Sequence, residues 1–206
     1  MLKTRSGALY TTFFEASHDA GSFPTASLGA SLMSLAIGIV LKDRSADLVR
    51  AWEEAFRDVA EVEAIVEDFF TTPADAIVSP ANSFGVMDGG LDLVIRSRLP
   101  GIEQAVQRII VSKYHGEMPV GNAEIVETGN PGWPYLVCAP TMRVPENIEG
   151  TPNPYLAMRA ALLAVRRLNV ENGTRIRTLV VPGLGTGVGG VRPRRCAYQM
   201  RMAYDA

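Results

Sequence analysis

Two stretches of this chain run a short apolar segment straight into a glycine-rich loop, and that pairing constrains the fold more than any other feature. Residues 76–78 read Ala-Ile-Val and stop at Ser79-Pro80. They are followed by Ala81-Asn82-Ser83-Phe84-Gly85-Val86-Met87-Asp88-Gly89-Gly90-Leu91-Asp92. Far downstream, Thr178-Leu179-Val180-Val181 enters Pro182-Gly183-Leu184-Gly185-Thr186-Gly187-Val188-Gly189-Gly190. A short apolar run bounded by Pro and Gly reads as a buried strand. Glycines after it allow positive φ and let backbone N–H groups approach a ligand closely. In open α/β sheets ligands gather at the carboxyl ends of the strands. A single loop of this kind is more often a turn than a site. Two of them, each fed by a strand, are better explained as two walls of one site.

The segments between and around these loops alternate in period. Asp47 to Val59 places Leu48, Val49, Trp52, Ala55, Phe56 and Val59 on one helical face, which makes Trp52 and Phe56 core residues. Residues 61–70 alternate like a strand and end in Asp68-Phe69-Phe70-Thr71-Thr72-Pro73. Residues 91–111 read as two helices broken at Pro100-Gly101, with Asp92 near the start of the first, where a carboxylate can simply cap. A turn and a strand are expected over 118–129, another strand over 133–139, a long helix over 155–168, and a final helix over 194–204. Strands alternating with helices predict a three-layer α/β/α sandwich with a mixed, mostly parallel central sheet.

At 206 residues and 47% hydrophobic, the chain can bury one sizeable core. Its 20 basic and 22 acidic residues leave a formal charge of −2, which gives no electrostatic reason to expect bulk nucleic-acid binding, and no direct sequence-specific nucleic-acid binding is expected either. Cys138 and Cys196 stand far apart without metal-ligand spacing, and only His18 and His115 accompany them, so no metal site is expected; unbridged thiols fit a cytoplasmic protein. Residues 21–41 carry no charge, but Ser, Thr, Gly and Pro dilute the first half, and no membrane span is expected. Residues 1–34 read as a poorly ordered extension on which function does not depend, and Ile37 to Leu41 as the first strand of the core.

The two loops resemble those of the macro domain, a family that binds ADP-ribose. Ser79-Pro80-Ala81-Asn82 followed by Gly89-Gly90-Leu91-Asp92 is similar to that family's Asn-Ala-Ala-Asn loop and the glycines and aspartate after it. Gly185-Thr186-Gly187-Val188-Gly189 is similar to its diphosphate loop. The first loop looks closest to a bacterial and phage branch reading Ser-Pro-Ala-Asn-Ser-Phe-Gly. The resemblance implies that residues 35–206 form the domain and that no cofactor is needed. It also implies that Asp68 and Phe69 meet adenine, that Ala81, Asn82, Gly89 and Gly90 line the ribose end, and that residues 185–189 hold the diphosphate. Independently, converging N–H donors at a glycine-dense turn suit a diphosphate, and an amide such as Asn82 suits ribose hydroxyls.

The chemistry divides into alternatives. The first is hydrolysis of an ADP-ribosyl linkage on protein or on an ADP-ribose derivative, for which the resemblance to the family's hydrolytic branches implies Asn82 and Asp92 as the catalytic pair, with Asp88 a second carboxylate nearby. A second is a non-catalytic reader of ADP-ribose. Another is a phage-related structural protein that kept the fold. Two departures bear on catalysis: the leading Asn of the motif is Ser79, and the aromatic that often packs on the distal ribose is Gly189. Arg143, in the loop after the fifth predicted strand, could face an anionic ligand but reads more simply as a surface arginine. A dinucleotide dehydrogenase is disfavoured because the glycine loops come late rather than after a first strand.

Overall fold

The computed structural model describes residues 37–206. The expected extension over residues 1–34 lies outside the described residues.

Six strands form one sheet in the order β2-β1-β6-β3-β5-β4. They are β1 (Gly38–Asp43), β2 (Val62–Val66), β3 (Ala76–Ser79), β4 (Glu124–Glu127), β5 (Tyr135–Cys138) and β6 (Thr178–Val181). All neighbours pair in parallel except β4 against β5, which is antiparallel, so β4 closes one edge. The helices are α1 (Ala46–Ala55), α2 (Gly90–Arg98), α3 (Ile102–Tyr114), α4 (Asn153–Asn172) and α5 (Pro193–Asp205).

Local chemistry sets these limits. Ser45 caps α1, its Oγ accepting the Leu48 N–H at 3.4 Å, and Asp47 adds a charge favourable to the helix dipole. The break between α2 and α3 falls at Pro100-Gly101, where Gly101 takes φ 85° in the left-handed region. Pro154 and Pro193 each stand in the first turn of their helices, where the missing N–H costs nothing.

The strands bury residues on both faces, as a mostly parallel sheet requires. On β3, Ala76 and Val78 join a cluster with Trp52 of α1, Met158 and Val165 of α4, and Ala197 and Met200 of α5. Ile77 between them joins a second cluster with Ile95 of α2 and Ile102, Val106 and Ile110 of α3. The same alternation runs along β6, with Leu179 and Val181 on the first side and Val180 on the second. Helices α1, α4 and α5 therefore cover one face and α2 and α3 the other, which is the sandwich the sequence predicts.

Candidate functional site

Neighbouring strands β6 and β3 send their chains to opposite faces: β6 continues to α5, and β3 continues to α2. Such a switch point opens a crevice at the carboxyl edge of a parallel sheet. Here the strands also part early. Their ladder consists of Ala76↔Leu179 and Ile77↔Val180. On its other side β3 stays paired with β5 as far as Ser79↔Cys138, and an Asn82↔Met142 bridge extends that contact. The two glycine-rich loops thus leave adjacent parallel strands at the same edge, on either side of the crevice that such a switch point implies.

The second loop is folded on itself. Val191 donates its N–H to Gly185 O at 3.0 Å and Gly190 to Gly187 O at 3.0 Å, while Ile148 N–H reaches Gly189 O at 2.8 Å. The N–H groups of Gly185, Thr186, Gly187, Val188 and Gly189 have no acceptor among the described residues. Five successive unpaired donors on a tight turn leading to a helix form a candidate anion cradle. A Cβ at Gly189 would lie 2.5 Å from Gly185 O and 2.7 Å from Ile148 Cγ1, so the turn has no room for a side chain there. Where the resemblance leads one to expect an aromatic ring at 189, the buried Ile148 from the loop after β5 packs instead. Thr186 turns its hydroxyl over the α-carbon of Gly183.

The first loop is stiffened from within. Asn82 Nδ2 donates to Val86 O at 2.7 Å, and its Oδ1 accepts the N–H of Phe84 at 3.1 Å and of Val86 at 3.2 Å. The side chain expected to meet ribose therefore also braces the turn, and one amide N–H remains. Ala81 is buried, its carbonyl accepting Thr141 N–H at 3.0 Å. Glu103 of α3 accepts Met87 N–H at 2.8 Å, fixing the run into Gly89 and Gly90. Helix α2 starts from Gly89 without a side-chain cap. Asp92, three residues in, does not cap it. Its Oδ1 instead accepts the Ser79 hydroxyl at 2.6 Å, and burial pushes the carboxyl up to about 6 against the opposing effect of that hydrogen bond.

Asp68 and Phe69 follow β2, at the far side of β1 from the crevice-lining β6. Arg44 pairs with Asp68 Oδ2, and Phe70 N–H reaches its Oδ1 at 3.1 Å; the guanidinium first, then that N–H, hold the carboxyl below its ordinary value. Phe69 is buried edge-on to Phe70, with ring centroids 5.5 Å apart, and Phe70 in turn meets Trp133 at 5.0 Å. Arg143 is a surface residue held by Glu117 in a two-pronged pair at 2.7 and 2.9 Å, with its guanidinium 5.2 Å from the Phe84 ring centre. The residues that sequence reasoning did not single out as site groups are Ser79, Glu103 and Ile148. A hydroxyl ending the buried run Ala-Ile-Val-Ser is a visible signal for the first; Ile148 sits in a polar stretch that gives none.

A surface groove of about 1010 Å³ runs elsewhere, between α1 and the start of α5. Arg50 there pairs with Asp47, and Arg194 lies 3.9 Å from Glu54, so much of its charge is compensated. The glycine crevice, with its unpaired donors, is the better candidate.

Comparison with known proteins decides the family. A family model described as Macro domain matches residues 78–200, from inside β3 through both loops into α5. The chain belongs to the macro domain family. Uncharacterized proteins of Aquifex aeolicus and Aeropyrum pernix are similar to it. The first is 38% identical over 57% of this chain and 65% of its own length, and the second 33% identical over 66% of each. The chain thus matches about two thirds of the length of these curated relatives. Among solved structures, the macrodomain of Mycobacterium tuberculosis DarG superposes with a TM-score of 0.57 at 24% identity, covering 68% of this chain and 86% of that one. An Oceanobacillus iheyensis macrodomain with ADP gives 0.53 at 19%, over 66% and 72%. Thermosipho africanus DarTG in complex with ADP-ribose gives 0.51 at 21%, over 65% and 37%. At these identities the superpositions establish the macro domain fold. The family match begins at residue 78, so β1, α1 and β2, and with them Arg44 and Asp68, lie before it.

Proposed function

We propose that this macro domain binds ADP-ribose or an ADP-ribosylated ligand in the crevice between β6 and β3 and hydrolyses the ADP-ribosyl linkage there. The observation that carries the reading is the row of unpaired N–H groups from Gly185 to Gly189, which suits a diphosphate. In this reading Asp68 accepts from the adenine amino group beside Phe69. The first loop, with Ala81, Asn82, Gly89 and Gly90, receives the distal ribose. ADP and ADP-ribose in the solved relatives support the same ligand class.

Hydrolysis needs a base for water near the anomeric carbon. Asp92, with a carboxyl at about 6, is mostly ionised at neutral pH and still basic enough to accept a proton. As the water oxygen bonds to the anomeric carbon, its proton passes to Asp92. The carbon–leaving group bond breaks, its electron pair going to the leaving group, which takes a proton from solvent. The products are ADP-ribose and the freed carrier. The two buried, unbridged cysteines support placing the protein in the reducing cytoplasm.

Isothermal titration with ADP-ribose, together with turnover of ADP-ribosylated protein and of ADP-ribose 1″-phosphate, tests the reading. Binding is expected, with turnover falling at least about a hundredfold in Asp92→Asn. Absence of binding heat at millimolar ligand would overturn it in favour of a structural protein that kept the fold. One observation favours a second reading, that of a non-catalytic reader: the Asn82 amide is largely committed to its own loop. Binding without turnover of any substrate would establish that alternative.

A further inference from the structure

The geometry points to Ser79 as a positioning residue: its hydroxyl occupies Oδ1 of Asp92, so that the proton Asp92 exchanges during hydrolysis is carried on Oδ2. This rests on the proposed function of the crevice and assigns a role to the residue at which the chain departs from the family's leading Asn.

Ser79 is fully buried at the end of β3, with its backbone held by the β5 ladder at Cys138 and by the Ala139 N–H on its carbonyl at 3.0 Å. Its side chain has little freedom to leave Asp92. The hydrogen bond of 2.6 Å runs from the last residue of a strand to the first turn of the helix that the same loop leads into, so it spans the loop from end to end. A hydroxyl donor fixed on one oxygen leaves the other as the basic atom. Among the described residues Oδ2 has no hydrogen-bond partner. The titratable group facing Asp92 from β5 is the Cys138 thiol, which burial holds well above its ordinary value and hence neutral. No cation or second carboxylate shifts Asp92. The donor from Ser79 is thus the force that opposes burial and keeps the carboxylate ionised at neutral pH.

Carboxyl-carbon NMR of protein labelled at aspartate Cγ tests the assignment, with the Asp92 signal identified by its loss in Asp92→Asn. The wild-type signal is expected to titrate near 6, as its burial and hydrogen bond dictate. Ser79→Ala should raise that midpoint by about one pH unit, the size expected for losing a donor to a charged group. Ser79→Thr, which keeps the hydroxyl, should restore it. The acid limb of the kcat profile should move with it in the same variants. An unmoved NMR midpoint in Ser79→Ala overturns the proposal, and so does a moved midpoint with an unmoved kinetic limb. Should Ser79→Ala not fold, Ser79→Cys keeps the side chain's place with a weaker donor and is expected to shift both readouts in the same direction. The NMR arm needs no substrate. Failure to bind or turn over ADP-ribose would overturn the functional reading, and the midpoint alone would then decide whether Ser79 sets the ionisation of Asp92.

Discussion

At Asp92 the requirements of the fold and of the proposed reaction pull in opposite directions. Burial raises its carboxyl from 3.8 to about 6, so the folded chain favours the neutral form. The sign follows from linkage. The stabilising contribution of the neutral acid is complete below about pH 4 and is lost as pH rises through about 6. Asn at this position is permanently neutral and can still accept the Ser79 hydroxyl. Asp92→Asn should therefore unfold at higher urea than wild type at pH 8, by about 1–2 kcal/mol after allowing for the part of the residue that solvent reaches. The two should coincide near pH 4. Equal gaps at both pH values would show that ionisation is not responsible. Gly85 presents a different kind of constraint. It takes φ 66° with its α-carbon against α3, and a Cβ there would lie 2.8 Å from Val106 Cγ1 and 2.9 Å from Ile110 Cδ1. Backbone strain and overpacking add, so Gly85→Ala should cost about 2–4 kcal/mol in chemical denaturation.

Among the elements, the loop between β5 and α4 acts as the template for the second glycine-rich loop, the proposed diphosphate site. Ile148 donates its N–H to Gly189 O, packs on Gly185 and Gly189, and is itself buried. Glu149 accepts the Arg192 N–H at 2.8 Å and its Nε at 2.5 Å, pinning the far end of the same turn. Ile148→Ala removes the packing beneath the cradle while leaving the backbone bond possible. The expected result is about a tenfold loss in affinity for ADP-ribose, near 1.4 kcal/mol, with adenosine binding unchanged. An equal loss for adenosine would mean that the whole crevice, and not the cradle, had relaxed. None of this was legible in Glu146-Asn147-Ile148-Glu149, because the partner of Ile148 lies some forty residues further along and carries no side chain. Elements with strong local signals fared better. The apolar runs of β3 and β6 stop at Pro80 and Pro182, and the α2–α3 break falls at Pro100-Gly101 as read. Where buried or capping polar groups intervene, the limits moved. Strand β1 continues through Lys42, buried against Glu67 at 3.1 Å, although hydropathy alone ends the strand at Leu41. Strand β2 stops at Val66, short of the expected 70, because Asp68 turns back to the Phe70 N–H and both phenylalanines enter the second cluster.

For the molecule as a whole, the position of the crevice depends on strand order, which no local pattern encodes. The loop composition predicts that the two glycine turns meet. That β6 inserts between β1 and β3, placing the turns on adjacent strands with helices departing to opposite faces, is a long-range pairing outcome. The same order bounds the part of the chain that builds the site. Strand β1 begins at Gly38, and it forms the bridge between β2, which leads to Asp68, and β6, which leads to the cradle. A protein cut inside β1 would lose both connections, whereas one beginning at residue 35 retains all six strands and both hydrophobic clusters. We therefore propose residues 35–206 as the functional macro domain. This shortened protein should match the full chain in thermal midpoint to within about 2 °C, and in ADP-ribose affinity to within about twofold, on the scale expected when no packed contact is lost. A clear drop in affinity at unchanged thermal midpoint would assign part of the binding surface to the first 34 residues. A drop in both would make those residues part of the fold, and the domain boundary would then move to the start of the chain.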